Sequence, residues 1–158
     1  MSRPVTILLV DDDPDCRTLL RDVIEHAAPR ARVVEAADGA EALDWLRRPR
    51  PAAATPAADL VYLDMEMPGL SGQEVLAAIR SDPALAGVAV VFLTGVDDEA
   101  ARRAALAGGA DGYVVKPLDP GRLLHAVGRC VHEWMRSLDR DRAVPSPSGR
   151  PGAREEER

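Results

Sequence analysis

Aromatic residues are scarce: two Trp, two Tyr and one Phe make up 3% of 158 residues. Hydrophobic content still reaches 46%, so the core must be aliphatic, built from Val, Leu, Ile and Ala. Cysteine is nearly absent. Cys16 and Cys130 lie far apart, match no metal-ligand spacing, and read as free buried thiols in a reducing compartment. Positive charge is not in excess. The formal net charge of −6 argues against a nucleic-acid binder, which presents a basic face. Long apolar runs are missing too: none approaches the ~20 residues of a membrane span. "MSRPVTILLV" lacks a small-residue cleavage site and reads as a first strand rather than a leader. The expectation is a single cytoplasmic domain with no nucleic-acid or membrane partner.

What is present is an alternation. Five times, a short apolar run precedes a segment with helical spacing. The runs are VTILLV (5–10), ARVVEAA (31–37), DLVYLD (59–64), VAVVFLTG (88–95) and DGYVVK (111–116). Runs apolar on both faces suit buried strands of a parallel sheet. The helical segments carry apolar stripes: Leu19, Leu20, Val23 and Ile24; Ala42, Leu43 and Leu46; Val75, Leu76 and Ile79; Leu123, Val127, Val131, Trp134 and Leu138. Strand–helix alternation means an α/β fold, a parallel sheet covered by helices on both faces. Two segments stand apart. RRPRPAAATPAA (47–58) contains three prolines and reads as a surface loop, an insertion longer than the usual connection. The polar segment 139–158, rich in Pro, Ser, Gly and charge, reads as a disordered tail of balanced charge.

Ligands of open α/β sheets sit beyond the carboxyl ends of the strands. The first strand ends on Asp11 and Asp12, the third on Asp64, the fourth on Thr94 and the fifth on Lys116. Three acids, a hydroxyl and an ammonium thus converge on one edge. Crowded carboxylates repel unless a cation neutralises them, and Mg²⁺ favours a few carboxylates with water and phosphate oxygens. Asp13, just before Pro14, fits a helix N-cap rather than a ligand, and Asp15 suits the first turn. His26, His125 and His132 all fall in helices and read as neither metal nor phosphotransfer sites.

The stretches ILLVDDD, LVYLDMEMPGLSG, VVFLTG and GADGYVVKP, in that order, resemble the receiver domain of bacterial two-component response regulators, over about Val5 to Leu138. The resemblance implies a single-domain regulator: a receiver (phosphoacceptor) domain over 1–138, with a flavodoxin-like doubly wound five-stranded sheet of order 2-1-3-4-5 flanked by five helices. It implies phosphorylation at Asp64, with Mg²⁺ (or Mn²⁺) held by Asp11, Asp12, Asp64 and the backbone carbonyl of Glu66. Thr94, Lys116 and the backbone N–H groups of Met65 and Gly95 would stabilise the phosphoryl group. Lys116–Pro117 would be a cis peptide. Thr94 and Tyr113 would form the switch, although Tyr113 also fits a static edge aromatic. Glu66 and Val96 occupy positions that tune phosphoryl lifetime. Partners implied are a sensor histidine kinase or histidine phosphotransfer protein, a downstream protein on the helix 4–strand 5–helix 5 face, and a possible homodimer. Trp134 and Met135 read as core or as a weak contact.

Two alternatives are weaker on the residues. A haloacid-dehalogenase-like phosphohydrolase places its nucleophile on the first strand with a second Asp two residues on, where this chain has Glu66 after Asp64. A receiver-like scaffold that does not use phosphorylation would lack part of the acid pair, the nucleophile or the lysine, and all are present. The chain is therefore expected to catalyse only its own phosphorylation and dephosphorylation. A DNA-binding regulator is not expected, since no helix-turn-helix segment follows Leu138.

Overall fold

The structure, a computed structural model, describes residues 4–50, 57–95 and 97–143, with side chains through 137. Five strands, β1 (Thr6–Val10), β2 (Arg32–Ala36), β3 (Leu60–Asp64), β4 (Ala89–Thr94) and β5 (Gly112–Val115), alternate with α1 (Pro14–Ala27), α2 (Gly39–Leu46), α3 (Gly72–Ser81), α4 (Glu99–Ala107) and α5 (Pro120–Ala143). The strands are parallel in the order β2-β1-β3-β4-β5, as expected. The order reverses direction between β1 and β3, which opens a crevice at their carboxyl ends.

The aliphatic composition explains the two-sided core. Within β1, Leu8 and Val10 face one side and Ile7 and Leu9 the other, all nearly inaccessible. Leu8 and Val10 join Leu43 and Leu46 of α2, Val75 and Ile79 of α3 and Ala105 of α4. Ile7 and Leu9 join Leu20 and Ile24 of α1 with Leu123, Val127 and Val131 of α5. The stripes seen in the sequence thus point where their periodicity requires. Trp134 and Met135 pack partly buried against the α1–α5 side. The side chain of Leu138 lies outside the described residues.

Side-chain caps start α1 and α3, the first of them where the sequence places it. Asp13 accepts hydrogen bonds from the Asp15 and Cys16 amides at 3.0 and 3.4 Å, with Pro14 at the first helical position. Ser71 and Glu74 form a reciprocal capping box on α3. Two boundaries differ from expectation. First, α5 continues through Ala143 rather than stopping at Leu138. Asp139–Ala143 contains no breaker, and the first proline beyond is Pro145. Residues 144–158 lie outside the described residues. Second, the 47–58 connection is not wholly a surface loop. Arg50 donates to the carbonyls of Trp45 and Leu46 at the end of α2 and sits 4.4 Å over the Trp45 ring. Ala58 is fully buried; residues 51–56 lie outside the described residues. No helix among the described residues is long and apolar enough to cross a membrane.

One glycine fixes how closely α3 approaches β3. A Cβ on Gly72 would lie 2.5 Å from the Asp64 carbonyl oxygen, 2.8 Å from Met65 Cα and 2.8 Å from the Phe92 ring. Two of these neighbours are backbone and cannot swing aside. Gly72→Ala is expected to cost about 1–3 kcal/mol, as overpacking does, measured by urea unfolding. A variant as stable as wild type would mean that the loop yields without strain.

Candidate functional site

The sheet delivers its chemistry at one end because the register sets where each strand stops. Val10 pairs with Leu63, so Asp11 leaves β1 beside Asp64, the last residue of β3. Asp64 pairs with Leu93, which places Thr94 one step further on. Thr94 pairs with Val115, and the Lys116 amide donates to the Thr94 carbonyl at 2.6 Å. Carboxylate oxygens of Asp11, Asp12 and Asp64 all lie within 4.8 Å of one another. Asp11 is buried, Asp64 half-buried and Asp12 exposed, so the cluster is walled at the back and open at the front. Among the described residues this is the one acidic or His/Cys group whose geometry suits a metal ion.

Lys116 reaches across the sheet edge into the cluster. Its Nζ lies 3.0 Å from Asp11 Oδ2 and 3.9 Å from Asp64 Oδ2. Burial disfavours its charge, but the hydrogen bond and charge of Asp11, with Asp64 behind, outweigh that and raise its pKa. Asp64 moves upward as well, from 3.8 to about 6. Desolvation is the main cause, aided by Asp11 and Asp12; Lys116 and the Glu66 amide, which donates to Asp64 Oδ1 at 3.2 Å, oppose it. Asp11 is pinned on every side. Its amide donates to Ala36 O, its Oδ1 accepts from the Asp13 amide at 2.9 Å, and its carbonyl accepts from Arg17.

Asp13 stands apart from the metal-suited cluster as the cap of α1. Thr94 is buried and hydrogen-bonded to Tyr113, whose hydroxyl is raised by burial and by the charges of Asp98 and Asp97. Tyr113 itself is 4% exposed and meets Phe92 with ring centroids 6.4 Å apart. The structure therefore holds Tyr113 inward beside Thr94, on the edge strand β5. Met65 is buried in the core, and its carbonyl accepts from the Gly72 amide at 3.0 Å. Glu66 and Gly95 are exposed at the mouth. Val96 lies outside the described residues.

Sequence reasoning treated both cysteines as buried. Cys130 is, and it accepts a hydrogen bond from the Tyr62 hydroxyl at 3.2 Å. Cys16 is only half-buried and lies at the site, its Sγ 3.8 Å from Lys116 Nζ. Burial, with Asp11 and Asp13, pushes its thiol up to about 11 against the pull of Lys116, so it stays protonated. Gly72 was also missed as a site residue; its one signal was a glycine directly after the Ser71 cap. His26, His125 and His132 line a surface groove between α1 and α5, away from the acids.

The sequence profile described as response regulator receiver domain matches residues 7–128. The chain is 37% identical over 119 residues to the cyclic di-GMP phosphodiesterase response regulator RpfG of Xanthomonas campestris pv. campestris (strain 8004), covering 75% of this chain and 30% of that protein. It is 37% identical over 124 residues to the nitrate/nitrite response regulator protein NarL of Escherichia coli (strain K12), covering 78% and 53%. The chain thus spans about a third to a half of these curated relatives. Among solved structures, it matches the phosphorylated cyanobacterial phytochrome response regulator RcpA with a TM-score of 0.77 at 28% identity, covering 85% of this chain and 96% of that one. The Mn²⁺-bound form of response regulator Rcp1 matches with a TM-score of 0.76 at 27% identity, with the same coverage.

Ionised Asp64 is an electrostatic burden on the metal-free fold. Its folded pKa lies above its ordinary value, so the penalty is full above about pH 6 and disappears as pH falls towards about 4. Metal-free Asp64→Asn is therefore expected to melt above wild type at pH 7.5, with the gap closing by pH 4. A gap unchanged across that range, in thermal melts with chelator, would contradict this origin.

Proposed function

The chain belongs to the response regulator receiver family; on that premise we propose that Asp64 is the phosphoryl acceptor of a Mg²⁺-dependent signalling domain. Phosphorylation on aspartate is general to this family, as is Mg²⁺ or Mn²⁺ binding at an acidic pocket. The single observation that supports the assignment to these residues is the convergence of Asp11, Asp12 and Asp64 within 4.8 Å, with the Lys116 ammonium at their edge. An all-oxygen, carboxylate-rich set fits a hard divalent cation. Asp11, Asp12 and Asp64, with the Glu66 carbonyl, would hold Mg²⁺, and Mn²⁺ in its place. The metal supplies charge neutralisation as phosphorus approaches a carboxylate.

The chain's own residues do the rest. Asp64 attacks phosphorus through a carboxylate oxygen as the P–N bond of the donor's phosphohistidine breaks, forming an acyl phosphate and releasing the donor's imidazole. Phosphoryl transfer rests on positioning and electrostatics. Lys116 pairs with the transferred oxygens, and Thr94 donates its hydroxyl alongside the Met65 and Gly95 amides. In this reading the Lys116–Pro117 peptide is cis. The donor is a sensor histidine kinase or a histidine phosphotransfer protein, in the cytoplasm. Thr94 and Tyr113 couple the phosphoryl group to the face formed by α4, β5 and α5, where a downstream protein or a second copy docks through a population shift.

The test is labelling by a phosphorylated kinase or by acetyl phosphate. Wild type should label with Mg²⁺ and lose the label with chelator. Asp64→Asn should lose it at any Mg²⁺ concentration, and Lys116→Ala should slow labelling at least about tenfold, as loss of a preorganised charge does. Equal labelling of Asp64→Asn would falsify the assignment.

A further inference from the structure

β1 ends at Val10, and beyond it the Asp11 amide still bonds to the Ala36 carbonyl of β2, while the Asp11 carbonyl is held by a side chain. That side chain comes from α1. Arg17, in the first turn after the Asp13 cap, turns back toward β1. Its Nη1 donates to the Asp11 carbonyl at 2.7 Å, and its Nε donates to Glu35 Oε1 on β2 at 3.1 Å. That carbonyl belongs to the peptide joining Asp11 to Asp12. Its orientation sets the direction in which Asp12 projects relative to Asp11, because the peptide unit is planar.

We infer that Arg17, held by Glu35, is a positioning residue for the divalent-cation site: it fixes the Asp11–Asp12 peptide so that both carboxylates meet Asp64. The guanidinium suits this place. Its fork engages two partners at once at fixed angles, which a point-charge ammonium does not. The contact is sheltered, with 18% of the Arg17 side chain and 29% of the Glu35 side chain exposed. Glu35 has a second effect. A cation beside the acids would repel Mg²⁺, and the Glu35 carboxylate offsets the Arg17 charge while leaving its donors in place. Glu35 also pairs with Arg21, which in turn pairs with Glu25 at 2.7 Å, so the clamp is braced along α1. Partners that orient metal ligands commonly affect affinity by 10–100-fold.

The inference rests on the metal assignment proposed above, and the experiment separates the two. Mn²⁺ binding to the metal-free protein is measured by calorimetry and by the loss of the free-ion electron paramagnetic resonance signal, alongside melting without metal. Wild type should bind one Mn²⁺, and Asp12→Asn should weaken it; an Asp12→Asn protein with wild-type affinity overturns the metal assignment itself. Given that result, Arg17→Gln should bind at least about tenfold more weakly while still folded, with Arg17→Lys in between. Folded Arg17→Gln with wild-type Mn²⁺ affinity overturns the positioning role, since a merely structural arginine would change melting alone. If Arg17→Gln does not fold, Glu35→Gln carries the same decision: weakened Mn²⁺ binding supports the clamp, and unchanged binding overturns it.

Discussion

The repulsion among Asp11, Asp12 and Asp64 is the constraint to which the rest of the structure answers. Three carboxylates within 4.8 Å carry three negative charges, and one ammonium offsets one of them. Two charges remain uncompensated, the amount a divalent cation supplies. The raised pKa of Asp64, due first to burial and further to Asp11 and Asp12, is part of the cost of ionising it there without metal. The parallel sheet makes the crowding unavoidable. β1 and β3 are neighbours, their register brings Val10 beside Leu63, and both chains end in acid on the next residue. The fold stores the repulsion because two apolar layers, one on each face, hold the strands in place.

Around that cluster, each element limits freedom in a particular way. Lys116 joins β5 to β1 across the crevice, over a sequence separation of 105 residues. Gly72 lets α3 press on the carbonyl of Asp64. Tyr62, two residues before Asp64, spends its hydroxyl on Cys130 and ties the centre of β3 to α5. Thr94 and Tyr113 share a hydrogen bond in the interior, next to the site but not part of the acid cluster.

What the sequence made legible follows from what is local in it. Strand ends, caps and helix stripes each depend on a few consecutive residues, so Asp11, Asp12, Asp64, Thr94 and Lys116 could be placed at one edge, and Asp13 at a cap. Contacts between distant residues left no such trace. Nothing near Arg17 announces that it spans 18 positions to Glu35. Gly72 looks like an ordinary helix start until the neighbouring backbone is drawn around it. Cys16 looked like core because cysteine is generally buried, yet its helix turns it to the rim of the site. The end of α5 was misplaced because a polar, charge-alternating segment reads alike as tail or as solvated helix, and only the absence of a breaker before Pro145 separates the two.

β3 is the middle strand, bonded along both edges, and it carries Asp64 at its tip. The strand behind Asp64 is therefore held from both sides. The two ladders fix where Asp64 leaves the sheet, and the acid cluster is built outward from that point. Of the acids that flank the crevice, the one at the tip of β3 is thus framed by strands, while Asp12, exposed beyond the end of β1, is not.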